Sequence, residues 1–337
     1  MEKTLKKYAA RIARNEIDPH VRYDGAASGL LLDPGRDEIP LEVLGFGVYR
    51  LDEGVIRRET EGREVVLVPQ EGAFEVEVDG KRFSGERTGG PFAAGPGASN
   101  ASAVYIPAGT RFTLRGSGEM AFFEAPALQT REAFSVGRDQ VEVVSRGGWT
   151  WRRDVAGLVS PKNGSSNLTV GETYNPPGLW SGTPLHVHDS DNPSAGESDH
   201  EEVYYHRFGW PKEGRDRFGP YGVQLLMDGA TLNKAFVIGD KSAFAIPGGC
   251  HPVVASPASD LLYLWGLAGS GSDLAMRDVP EFAHLKSFEA IFAELGEGRG
   301  RTIGKEELGE LAAAHGFSAR QTGLLVAILR ERGFEVG

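Results

Sequence analysis

The chain has 337 residues, 40% of them apolar and 25% charged, a globular composition long enough for two domains. A formal net charge of −11 argues against nucleic acid or an anionic membrane surface as the main partner, since both reward clustered Lys and Arg, and leaves a small molecule as the expected ligand. Cys250 is the only cysteine, so no internal disulfide is expected, and no apolar run approaches the ~20 residues of a membrane span; the expected location is cytoplasmic.

In chain order, residues 1–27 hold a basic segment in which Leu5, Tyr8 and Ile12 recur at helical spacing without a secretory apolar core, which predicts a short docking helix. Residues 28–145 and 146–280 read as short strands between turn signals, an all-β pattern. Phe74 to Val78 alternates strictly and turns at Asp79-Gly80 into Lys81-Arg82-Phe83, a hairpin signature. Gly89 to Asn100 is too poor in large side chains to build a core and reads as a loop. Ile106-Pro107-Ala108-Gly109-Thr110-Arg111 parallels Ile246-Pro247-Gly248-Gly249-Cys250-His251, which predicts two copies of one barrel. Arg111 takes the place of His251, so the first barrel is expected to carry no metal.

Residues 281–337 change to a helical pattern. Ser318-Ala319-Arg320-Gln321 forms a capping box ahead of Leu324, Leu325, Ile328 and Leu329, Gly333 is placed to end that helix, and Thr302 to His315 reads as a preceding one. Two helices on a tight link resemble a DNA-binding pair, but the segment lacks a strong basic excess, so packing or dimerisation is its expected role and a homo-oligomer the expected state.

The chemistry gathers between residues 186 and 251, where five of the eight histidines fall. His186 and His188 are two apart, so on a strand both point to one face. Glu202 opens the apolar run Glu202-Val203-Tyr204-Tyr205-His206, and His251 follows the turn Pro247-Gly248-Gly249-Cys250. A jelly-roll barrel brings such distant residues together, and imidazole with carboxylate suits Zn²⁺, Mn²⁺ or Fe²⁺. Alternation also sends Tyr204 and His206 to the face of Glu202, which makes them acid/base candidates. Glu201, one position off, is expected to be a solvated charge, His200 to be exposed at the end of a polar loop, and Cys250 to pack.

Leu168-Thr169-Val170-Gly171-Glu172, Pro177-Gly178-Leu179-Trp180-Ser181, His186-Val187-His188-Asp189, Glu201 through Arg207 and His251-Pro252-Val253 together resemble the 5-deoxy-glucuronate isomerases of inositol catabolism. Arg146 to Arg153 and the segments from Leu44 and Ala103 agree with that pattern, so the resemblance covers about residues 30 to 270. A more distant similarity is to the 4-deoxy-uronate isomerases of pectin breakdown. The resemblance implies a bicupin of two jelly-roll barrels, with a divalent ion (Zn or Mn, with Fe as the third option) held by His186, His188, Glu202 and His251 and no organic cofactor. It implies aldose–ketose isomerisation of a deoxy-uronate, with His206 or Tyr204 moving the proton and Gln224 and Trp180 touching the sugar acid. The chain departs from the pattern where relatives have Gln-Arg-Val-Tyr and this sequence has Gln224-Leu225-Leu226-Met227, and where an Arg and a Tyr are replaced by Gly248 and Cys250. An iron-dependent cupin dioxygenase and a sugar-acid sensor signalling through the helical tail are the two rival readings.

Overall fold

The computed structural model describes residues 2–26, 28–209, 219–269, 271, 273–296 and 301–337. It contains two jelly-roll barrels, flanked by a short N-terminal helix and a C-terminal helical extension. In the first barrel the strand Arg63–Val78 does most of the organising. Its first half pairs with Glu119–Pro126 and Ala103–Ile106, its second half with Lys81–Arg87 and Arg111–Gly116, and the register shifts between Pro69 and Glu71 where it passes from one set to the other. Proline cannot donate to a ladder, so a bend at Pro69 costs little there. The hairpin read at Asp79-Gly80 is present.

In the second barrel, one sheet runs through His20–Arg22, Ser242–Ile246, Glu197–Gly209, Asp260–Gly269, Thr169–Asn175, Arg153–Val159 and Val143–Arg146. A second sheet of Trp180–Ser181, Val253–Ala255, Tyr221–Met227 and Asn233–Gly239 closes over it. Alternation along Glu197–Gly209 divides its side chains: Tyr204 and Phe208 join the interior core with Leu226, Phe244 and Ile246, while Val203 and Tyr205 join a core shared with Phe46, Val66 and Phe123 of the first barrel. Helix α1 (Glu2–Ala13) docks as its spacing predicts, with Tyr8, Ala9 and Ile12 buried in the second barrel's core, although it precedes the first barrel in sequence.

The two copies match residue for residue at the predicted repeat. Ile106 lies opposite Val65 and Ile246 opposite Glu202, and both turns that follow contain a glycine with positive φ, +72° at Gly109 and +78° at Gly249. The residues before Val65 and Glu202 are also equivalent. Glu64 accepts from the backbone N–H groups of Ser166, Asn167 and Leu168 at 2.7, 2.7 and 2.5 Å, and Glu201 accepts from those of Glu42, Val43 and Leu44 at 2.7, 2.9 and 3.0 Å. Each barrel thus extends one carboxylate to the chain entering the other. Glu201 is therefore buried, correcting the expectation of a solvated charge: alternation points it away from the metal face, and that face is covered by the first barrel.

Helices α2 (His284–Leu295), α3 (Lys305–Ala314) and α4 (Ala319–Glu331) form their own core of Phe288, Ile291, Phe292, Leu325, Ile328 and Leu329 against Trp151 of the second barrel. The capping box is present, with Ser318 Oγ accepting from Gln321 N and Gln321 Oε1 from Ser318 N, and Gly333 follows the helix with φ +87°. Helix α3 begins at Lys305 rather than Thr302, because Thr302–Ile303 pairs in parallel with Glu335–Val336.

Candidate metal centre

The strand Glu197–Gly209 runs without a bulge opposite Ser242–Ile246, so Glu202, Tyr204 and His206 all enter the second barrel. His186–Val187 pairs with Arg277–Asp278, and the backbone carbonyl of His188 accepts from His200 N at 2.8 Å, which brings the His-x-His segment over Glu202. His251 arrives on the turn after Ile246. That turn depends on Gly248 (φ +138°) and Gly249 (φ +78°): a Cβ on Gly248 would sit 2.5 Å from Asp189 Cβ, and Asp189 Oδ2 accepts from Gly249 N at 2.6 Å. The same glycine that departs from the family pattern is what this chain needs to lay the His251 turn against the His188 segment.

His188, Glu202 and His251 place one ligand atom each within 4.8 Å of one another, and all three are buried. His188 Nε2 and His251 Nε2 approach Glu202 Oε2 at 3.2 and 2.9 Å, yet neither has a hydrogen-bond partner of acceptable geometry. Their Nδ1 atoms face the carbonyls of His200 and Gly249 at 3.0 and 2.7 Å. A carbonyl only accepts, so Nδ1 carries the proton and Nε2 turns its lone pair to the carboxylate. Three acceptor atoms converging in a buried space are unfavourable by themselves and are what a divalent cation requires. His186 is oriented in the same way, Nδ1 to Pro184 O at 2.9 Å, with its ring 5.7 Å from that of His251 and 6.3 Å from that of His188. It borders the group without its ligand atoms joining the tight cluster. Burial, then His251 and His188, pushes its pKa down to about 4, so it stays neutral near pH 7. Without a cation, burial works to raise Glu202, but protonated His188 and His251 would donate to it and hold it at about 2, and against burial the same contact raises His188; a bound cation takes the place of those protons.

A cavity of about 160 Å³ opens beside this group, lined by His186, Glu202 and Tyr204, by Arg153, Thr173, Ser181, Tyr263 and Trp265 from neighbouring strands, and by Met276. Burial first, then the charge of Glu202, keeps the Tyr204 phenol protonated well above the ordinary tyrosine range. Its ring lies 4.4 Å from that of Tyr263, tilted by 38°, and the Tyr263 hydroxyl is bonded to Ser181 Oγ.

The other candidates lie elsewhere. His206 is fully buried with Nδ1 on Ser242 O at 3.1 Å and Nε2 on Gln224 Oε1 at 3.3 Å, and it does not line the cavity. Gln224 is likewise spent internally, since its Nε2 donates to Leu225 O, His251 O and Pro252 O. Trp180 packs against the C-terminal helices because Ser181, its neighbour on the strand, takes the inward face. His200, expected to be exposed, is buried within the strand, its Nδ1 on Ser198 Oγ at 3.0 Å. Cys250 faces another cavity, beside α1, with its thiol pushed up to about 11 by burial, as suits a packing residue. In the first barrel Val65 stands where Glu202 does, and Arg111 points to solvent and pairs with Glu59 at 3.0 Å. Arg153, Tyr263 and Trp265 were not among the expected site residues, though Arg153 closes the Arg146 to Arg153 segment of the resemblance, and Tyr263 and Trp265 alternate within one apolar run and so share a face.

Comparison with known proteins agrees with this architecture. The chain is 30% identical over 240 residues to a 5-deoxy-glucuronate isomerase of Geobacillus kaustophilus, covering 69% of this chain and 82% of that one. It is 27% identical over 263 residues to a 5-deoxy-glucuronate isomerase of Lacticaseibacillus casei, covering 76% and 92%. The solved structure of an IolB-like protein from Salmonella typhimurium superposes with a TM-score of 0.69 at 24% identity over 79% of this chain and 98% of that one. Bacillus subtilis oxalate decarboxylase, in a study of its Mn(II) centres, shares the fold at a TM-score of 0.52 and 12% identity, covering 92% of this chain and 86% of that one. The KduI/IolB family matches residues 24–285, both barrels together, and the chain belongs to that family.

Proposed function

We propose that this protein is a metal-dependent aldose–ketose isomerase that converts 5-deoxy-glucuronate to 5-dehydro-2-deoxy-gluconate in the breakdown of myo-inositol. The observation that carries the reading is that Glu202, the carboxylate of the His188–Glu202–His251 donor group, lines the same cavity as a protonated Tyr204. The names of the relatives compared above, 5-deoxy-glucuronate isomerases at 30% and 27% identity, support the substrate.

The reaction moves one hydrogen from C2 to C1 and one proton from the C2 hydroxyl to the C1 oxygen, so it needs no co-reactant. His188, Glu202 and His251, with His186 at their border, would hold a divalent ion, which when bound supplies electrostatic stabilisation of the enediolate oxygens. Tyr204 presents a phenol proton to the cavity and is the group we assign to proton transfer, with Tyr263 and Ser181 fixing its orientation. Val155, Leu267, Leu274 and Met276 supply apolar wall that excludes water. His206 and Gln224 serve at one remove, by holding the His251 carbonyl.

Metal analysis of the purified protein, followed by NMR of 5-deoxy-glucuronate in deuterated water, tests the reading. The expected result is stoichiometric metal, ketose formation and solvent deuterium at the carbon that receives the proton, with no oxygen consumed. Oxygen uptake would assign the site to a dioxygenase, and tight binding without turnover to a sensor.

A further inference from the structure

Arg153 is the one Arg or Lys among the described residues lining the cavity beside the metal group. It shares that face with Val155, which pairs with Thr173 of the next strand. Its guanidinium is held from behind. Nη1 donates to Trp151 O at 3.2 Å and lies 3.8 Å from Glu289 Oε1, and the same carboxylate oxygen accepts from Trp151 Nε1 at 3.0 Å. Among the described residues no protein group engages Nε or Nη2. Gly147 makes room for this arrangement, since a Cβ there would lie 2.2 Å from Trp151 O and 2.9 Å from Arg153 Nη1. Glu289 belongs to α2, beyond residue 285 where the family match ends.

A guanidinium with one edge tied down and the other facing a cavity is built to take a planar anion through parallel N–H bonds. We infer that Arg153 binds the carboxylate of the substrate and that Glu289, contributed by the C-terminal extension, is the positioning residue that aims it. This rests on the proposed uronate isomerase activity and adds which end of the substrate is recognised and by what. The extension would then be part of the substrate site rather than an appendage.

The experiment uses metal-loaded, full-length protein and two substrates: 5-deoxy-glucuronate, and 5-deoxy-glucose, which has a hydroxymethyl group in place of the carboxylate. Arg153→Gln is expected to raise KM for the acid about ten- to a hundredfold, the range of a lost charge-assisted hydrogen bond, with kcat little changed. Arg153→Lys should recover part of the loss, and Glu289→Gln should give a smaller rise, about threefold. None of the three variants should alter KM for 5-deoxy-glucose. An unchanged KM for the acid, or an equal loss on both substrates, overturns the inference while leaving the isomerase reading intact. Should Arg153→Gln fail to fold, the partly exposed Glu289→Gln decides by the same comparison. If the wild type turns over neither sugar, the isomerase reading fails, and calorimetric titration of D-glucuronate into wild type and Arg153→Gln then judges Arg153 alone: weaker binding to the variant sustains the assignment, equal binding ends it.

Discussion

His206 Nε2 lies 3.3 Å from Gln224 Oε1, while Gln224 Nε2 donates to the carbonyl of His251 at 2.7 Å. The amide is a brace between a buried histidine and the backbone of a metal-ligand candidate. Gln224→Ala should therefore weaken metal binding about tenfold, as loss of support behind a ligand does, and leave KM for substrate unchanged at saturating metal. Calorimetric metal titration and kinetics in excess metal check the two halves of this statement. A raised KM with normal metal affinity would return Gln224 to the substrate.

Burial lowers the pKa of His206 from its ordinary 6.5 to about 3. Between those values the unfolded chain holds a proton there that the fold does not, so stability conferred above pH 6.5 is lost as pH falls, at up to about 1.4 kcal/mol per pH unit. His206→Gln should have a shallower stability profile between pH 6 and 4 in urea titrations, whatever its stability at pH 7. Parallel profiles would mean that the imidazole charges inside the fold, using Ser242 O and Gln224 Oε1 as its two acceptors.

His188→Ala removes one of the two unpartnered Nε2 atoms beside Glu202. Bound metal and activity should both fall to a few per cent or less, while circular dichroism stays that of the wild type, because the barrel core of Leu226, Phe244 and Ile246 does not involve the ion. Full metal occupancy in the variant would exclude His188 as a ligand.

Tyr204→Phe keeps the ring packed against Tyr263 and removes only the hydroxyl. The expected loss in kcat is ~10² to 10⁴-fold, with normal metal content. A variant with wild-type kcat would leave proton transfer to another group of the cavity.

Gly248→Ala combines an unfavourable backbone conformation with a Cβ 2.5 Å from Asp189. It should cost about 1–3 kcal/mol in chemical denaturation and weaken metal binding by displacing the His251 turn. Unaltered stability would show that the turn can relax without moving its ligand.

Part of the candidate metal group was legible because strand alternation is a local rule: Glu202, Tyr204 and His206 share a face by counting by two, whereas His186, paired with His188 on the same count, borders the group rather than joining its cluster of ligand atoms. The repeat was legible for a similar reason, since Ile-Pro-x-Gly marks the same turn twice. What residues do after they reach a face was not local. His206 enters the barrel as expected, but its partners come from Tyr221–Met227 and Ser242–Ile246. The burial of Glu201 depends on backbone N–H groups of residues 42–44, and the orientation of Trp180 on helices that begin at His284. Arg153 lacked any motif of its own, and only the fold brings it beside the histidines.

Glu64 and Glu201 give one another's halves the same service, and contact of the form "i meets j, and j meets i" is what a twofold axis produces. The two halves meet as the subunits of an isologous dimer would, with a peptide link in place of a second chain. Fusion releases such a pair from having to remain identical. One copy can carry Val65 at the position of Glu202 and still cradle its neighbour, and the other can accept a helical extension on one flank that a symmetric dimer would have to carry twice. The asymmetry seen among the described residues, a candidate metal group in the second barrel and a helical extension on its flank, is thus borne by an interface that has stayed symmetric.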